Sequence, residues 1–206
     1  MFKPLPVVMA GLLALAGCES GSQPDGQAGA RDAAPAVPPE VVQQKVQAAR
    51  GAIKTFAGAL KGELKAALKS GGPAKAIEVC HTRAPEITAQ VAMEQGMMLR
   101  RVSLKNRNPN NAARGWVKAV LEDFEQKKAA GADPKTLEFQ QVVSEDGKPV
   151  LRYVKAIPTQ KLCLTCHGSD LPEDVAAKLK ALYPEDKATG FKVGDIRGAF
   201  VVEAPL

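Results

Sequence analysis

Cys163-Leu164-Thr165-Cys166-His167 sets the problem that the rest of this chain has to solve. Two thiols at Cys-x-x-Cys-His spacing can add across the two vinyl groups of one porphyrin, and the adjoining histidine lies close enough to bind the iron from the proximal side. The chain has only four cysteines and two histidines, and three of those six residues fall in this one run. A redox Cys-x-x-Cys of thioredoxin type would need a strand before it and a helix opening on the second thiol, whereas Pro158 and Gly168-Ser169 bracket this run as a loop. Zinc would need about four N/S ligands. Cys80 and His81 are the available partners, but neighbours on a helix point about 100° apart and would rarely share one metal. The expected cofactor is a single, covalently attached haem c with iron bound by His167.

The N-terminus agrees with an exported protein. Lys3 precedes an apolar run from Leu5 to Ala16, which has the layout of an export signal and is too short for a membrane span. It ends Leu15-Ala16-Gly17-Cys18, similar to the bacterial lipoprotein box, with Cys18 as the acylated residue. The expected division is a signal peptide over 1–17, acylated Cys18 with a Pro/Gly/Ala-rich tether over 18–38, and one domain over 39–206. The expected location is the periplasmic side of a bacterial membrane, anchored by lipid alone. Glu19, rather than aspartate, after the lipid site points to the outer membrane.

Charge excludes more than it assigns. The formal net charge is +6, with 28 Lys+Arg against 22 Asp+Glu spread along the same helices. An exported lipoprotein without an aromatic-interleaved basic patch is a poor candidate for nucleic acid. Acidic partner proteins and haem propionates are the better complement.

Lipid accounts for Cys18 and haem for Cys163 and Cys166, so Cys80 has no intramolecular partner. Ile77, Cys80, Ala84, Ile87 and Val91 recur at helical spacing, placing Cys80 on an inward stripe, and Pro85 is expected to kink that helix beside it. The spacing allows either a small buried hydrophobe or a ligand. His81 is the fallback iron ligand and lies off the stripe. Met93, Met97 and Met98 are further soft donors that suit core filling.

Ala76-Ile77-Glu78-Val79-Cys80, Ala84-Pro85, Arg107-Asn108-Pro109-Asn110-Asn111, the Cys-x-x-Cys-His run and Gly194-Asp195-Ile196-Arg197-Gly198 occur in this order. Together they resemble a bacterial family of single-haem c-type domains of PAS-like fold, long labelled a domain of unknown function and found alone or as the sensory part of signalling proteins. The resemblance spans roughly residues 40–204. It implies iron held by histidine and cysteine, which maps onto His167 and Cys80.

The element pattern predicts α+β: a long helix from Val41 to about Ser70, a helix over 73–95, and a strand over 97–103. A helix carrying Trp116 and capped by Asn111 follows, then a hairpin around Asp146-Gly147, a short helix after Asp170, and a last strand over 198–203. That suits a PAS-like antiparallel sheet with long N-terminal helices. Arg100, Arg101, Arg107 and Arg114 cluster near the Cys80 helix, and Arg107 is the preferred propionate partner. Tyr153, Phe139, Trp116 and Phe200 are candidates to pack the porphyrin.

No nucleophile–base constellation suggests an enzyme. The expected function is electron transfer by an exported monohaem c-type cytochrome-like protein, working with a redox partner. The alternative is a haem-based redox or gas sensor that signals to a partner protein by displacing Cys80.

Overall fold

The computed structural model describes residues 36–206. The expected signal peptide, Cys18 and nearly all of the tether lie outside the described residues.

Helix α1 runs Pro39–Gln95, 57 residues, with Pro39 in its first turn, where a missing N–H costs nothing. Its first half buries Val46, Ala49, Ile53 and Phe56 along one stripe. The helical geometry breaks at Gly71 (φ −152°, ψ 16°) and Gly72 (φ 68°, ψ −165°). Gly72 adopts a left-handed φ that a side chain would oppose, and Pro73 restarts the helix. At Pro85 the helix is not broken: helical φ/ψ continue through it. Pro85 has no N–H to donate to the His81 carbonyl, and both residues are exposed. Gly96, left-handed at φ 58°, terminates the helix.

Four strands follow: β1 (Met98–Val102), β2 (Glu138–Glu145), β3 (Lys148–Pro158) and β4 (Ile196–Pro205). They form one antiparallel sheet in the order β1-β4-β3-β2, so the last strand lies beside the first. Asp146 and Gly147 both take positive φ and close the β2–β3 hairpin. Helix α2 (Gly115–Ala129) precedes the hairpin, and α3 (Leu164–His167) and α4 (Glu173–Leu182) lie between β3 and β4. Arg114, not Asn111, sits at the α2 N-cap. Asn111 instead ends a 3-10 turn over 109–111, where the Asn108 side chain accepts from the Asn110 N–H.

The sheet is covered on both faces. Leu99, Leu151, Tyr153, Val202 and Ala204 pack against α1, while Val102, Val154, Ala156, Ala199 and Val201 pack against α2. Alternation along each strand divides the two cores, as a half-turn per residue requires. A third cluster joins Ile77 of α1 to Val175, Leu179 and Tyr183 at α4. Thus the part of α1 beyond the glycine break holds α4, and the cavity described next lies beside that junction.

Candidate functional site

A cavity of about 510 Å³ opens between the second half of α1, β1, the 106–111 loop, His167 and the start of β4. Cys80, Pro85, Leu99, Arg101, Ile157 and His167 are among the residues lining it. Its size falls in the range that encloses cofactors and drug-sized ligands.

The Cys-x-x-Cys-His run is shaped by backbone bonds. A 3-10 turn over Lys161–Cys163 leads into the single turn of α3. The Gly168 N–H donates to the Leu164 carbonyl at 3.0 Å, and the Phe191 N–H donates to the His167 carbonyl at 2.9 Å. His167 Nδ1 lies 2.7 Å from the Ala188 carbonyl oxygen. A carbonyl can only accept, so Nδ1 carries the proton and Nε2 keeps its lone pair. Burial, followed by the charges of Arg197 and Arg107, pushes the His167 pKa well below its ordinary value. Arg197 Nε approaches the Nε2 lone pair at 3.4 Å. The imidazole is therefore neutral, fixed in one tautomer and suited to binding a metal through Nε2.

Cys80, Cys163 and Cys166 are free thiols. Burial pushes the Cys80 thiol up, while Arg101, Arg107 and Arg197 favour its thiolate. Burial likewise raises Cys166, and Cys80 and Arg107 act on it electrostatically. The Cys80 stripe itself is as the spacing predicts: Ile77, Ala84, Ile87 and Val91 are buried, and Cys80 borders the cavity. His81 is exposed and sits edge-to-face on Tyr183 with ring centroids 5.1 Å apart, on a separate groove with Glu78 and Lys178. Met93 and Met98 are exposed, and Met97 is buried in the α1 core.

Arg107 lines the cavity but is already engaged. Its Nε meets Asp186 at 3.0 Å, and its Nη2 donates to the Cys166 carbonyl at 2.6 Å and the Ala188 carbonyl at 3.2 Å. It joins the loop after β1 to both the thiol-bearing turn and the segment that orients His167. Asp186 in turn accepts from the Ala188 N–H at 2.7 Å. Arg100 approaches Glu203 at 3.6 Å, and Arg114 is exposed away from the cavity.

The aromatic candidates fall elsewhere. Tyr153 is buried in the α1 core with its hydroxyl near Arg50, Phe200 packs on Phe56, and Trp116 faces Phe139 on the α2 side. The cavity aromatic is Tyr183, whose phenol burial pushes up to about 12. Reading the sequence also missed Arg197, although it sits inside the Gly-Asp-Ile-Arg-Gly run. β4 pairs Gly198 with Ile157 but Ile196 with Pro158, leaving Arg197 as the extra residue of a bulge. Gly198 has φ +156°, and a Cβ there would collide with the Val102 carbonyl oxygen. Asp195 holds Lys128 at 2.6 Å and accepts from the Lys192 N–H. The bulge and the close approach at Gly198 together place Arg197 on the cavity.

Fold and site together define a PAS-like α+β domain whose cavity is bordered by one cysteine, one neutral histidine and a set of arginines. The chain belongs to the Tll0287-like family, which matches it over residues 35–205. It is similar to the crystal structure of the cyanobacterial heme-protein Tll0287, at 27% identity and a TM-score of 0.57, covering 82% of this chain and 97% of that one. No curated protein matches the chain.

Proposed function

We propose that this chain is an exported, lipid-anchored protein that carries one haem c in the cavity beside His167 and passes single electrons to a protein partner. The carrying observation is the state of His167: its Nδ1–H is committed to Ala188, and its Nε2 lone pair lies in a cavity that Cys80 shares. Free Cys163 and Cys166 flank that histidine at the spacing for two thioether bonds, and the heme-protein relative supports the same cofactor. The haem supplies a one-electron iron couple when bound. The protein's part is to fix His167, offer the Cys80 sulfur from α1 and line the cavity with Leu99, Ile157 and Tyr183. An anionic sulfur offsets the extra charge of ferric iron, so Cys80 lowers the potential. We assign no enzymatic turnover to the site.

The sensor reading rests on a different observation. Cys80 lies in the part of α1 beyond the Gly71–Gly72 break, and this part packs on α4 through Ile77. Loss of the sulfur ligand would act on that junction. Absorption and EPR spectra of wild type and Cys80→Ala, ferric and reduced, separate the readings. A low-spin thiolate-like ferric spectrum, lost in the variant but unchanged in ligand number through the cycle, supports a carrier. A reduced wild type that releases Cys80 and takes up carbon monoxide supports a sensor. If wild-type protein matured with the cytochrome c attachment machinery shows no haem-sized mass gain, both readings fail.

A further inference from the structure

Four arginines border the cavity, and their partners differ. Arg100 meets Glu203 at 3.6 Å. Arg107 is neutralised by Asp186 and fills its remaining contacts with two carbonyls. Among the described residues, neither Arg101 nor Arg197 meets a carboxylate within ion-pair distance. Arg101 pairs across the sheet with Phe200, on the strand face that packs α1, and its guanidinium lies 5.2 Å from the centroid of the Phe56 ring. Arg197 donates to Ser103 Oγ at 3.2 Å, to the Lys105 carbonyl at 3.3 Å and to His167 Nε2 at 3.4 Å. Burial lowers the Arg101 pKa against the attraction of Cys80 and Tyr183, and burial followed by repulsion from Arg107 and Arg101 takes Arg197 to about 10. Two largely buried cations on one cavity without an anion carry an uncompensated desolvation cost. Arg197 has a further conflict, because a metal bound at Nε2 would remove the acceptor its Nε now uses.

Resting on the haem reading above, we infer that Arg101 and Arg197 form a dicarboxylate site that takes the two haem propionates, while Arg107 is a structural clamp. The stoichiometry is balanced: Asp186 keeps Arg107, Glu203 sits beside Arg100, and the two guanidinium groups left without a carboxylate meet two propionates. Arginine suits this task because its planar fork can offer a carboxylate two parallel donors. The bulge at Arg197 and the strand position of Arg101 put both on rigid elements, so the anion site is set before ligand arrives.

The test uses reduced, haem-free full-length protein and iron-free protoporphyrin IX, whose binding depends neither on iron ligation nor on thioether formation. Fluorescence titration compares the diacid with its dimethyl ester. The wild type is expected to prefer the diacid by about tenfold or more. Arg101→Gln and Arg197→Gln should each lose about tenfold in diacid affinity and leave the ester unchanged, and the corresponding Lys variants should recover part of the preference. Circular dichroism melts exclude variants that fail to fold, and the Lys series supplies a second route if a Gln variant does. Equal binding of diacid and ester overturns the arginine assignment alone. So does a preference abolished by Arg107→Gln but untouched at Arg101 and Arg197. If neither porphyrin binds, the haem reading falls and takes this inference with it.

Discussion

Arg107 belongs to a run that the sequence marks out, and its side chain is held by Asp186 and two backbone carbonyls. Its pair with Asp186 is buried, with side-chain exposures of 9% and 11%. Removing one partner leaves a buried, uncompensated carboxylate, so Arg107→Ala should cost about 3–5 kcal/mol in chemical denaturation. Gly198 makes a second residue-level case. Gly198→Ala adds a Cβ against the Val102 carbonyl at a φ that L-residues avoid, and the unfolding free energy should drop by ~2 kcal/mol or more. A variant that melts like wild type would show that β1 and β4 separate freely at this point. Single residues also show where sequence reading stops. Cys80 was legible because helical spacing places it, and the thiol pair with His167 because the spacing is short and local. Arg101 stood among four clustered arginines with nothing to single it out, and Arg197 was missed, because what sets both apart is the lack of a carboxylate partner, and partners come from distant segments.

At the scale of elements, the apolar junction of α4 with α1 is flanked by Glu78, which meets Lys178 of α4 at 2.5 Å and Lys75 of its own helix at 2.9 Å. Hydrogen bonds from these two lysines, Lys178 first, hold the Glu78 carboxyl at about 2 against an ordinary 4.5. A carboxyl with a depressed pKa contributes stability that is complete above its unfolded value and is lost as pH falls through the folded one. Amide exchange in α4 should therefore quicken between about pH 4.5 and 2, and Glu78→Gln should remove that acid-dependent component. Exchange equally slow at both ends of this range would place the docking in Ile77, Val175 and Leu179 alone. Helices and strands were mostly legible, since their apolar periods are regular. The break between the two expected helices falls at Gly71-Gly72, where residues without Cβ atoms leave helical geometry, while helical φ/ψ run on through Pro85.

On the scale of the whole molecule, two cores and one cavity share a single sheet. Ligand in the cavity would contact α1, β1, the 106–111 loop and β4 but not α2. Loading with haem should raise the melting midpoint, since a ligand bound only by the native state adds to its stability. New exchange protection should gather over residues 76–90 and 161–191, with Val117, Val120 and Phe124 little changed. Uniform protection would indicate that the two faces of the sheet open together. The antiparallel α+β layout followed from the sequence because each strand alternates. The arrangement around the cavity did not, since Tyr153, Phe200 and Trp116 serve equally well as core, and only tertiary packing assigns them. The bulge in β4 distinguishes two genetic lesions that look alike on paper. Ile196 already faces α2 together with Ala199 and Val201, so excising residue 197 would join Ile196 to Gly198 in unbroken alternation. Replacing Arg197 by alanine keeps the strand's length and loses a cation, whereas deleting it would shorten the strand without turning any core residue around. The ladder has no use for residue 197; its presence serves the cavity.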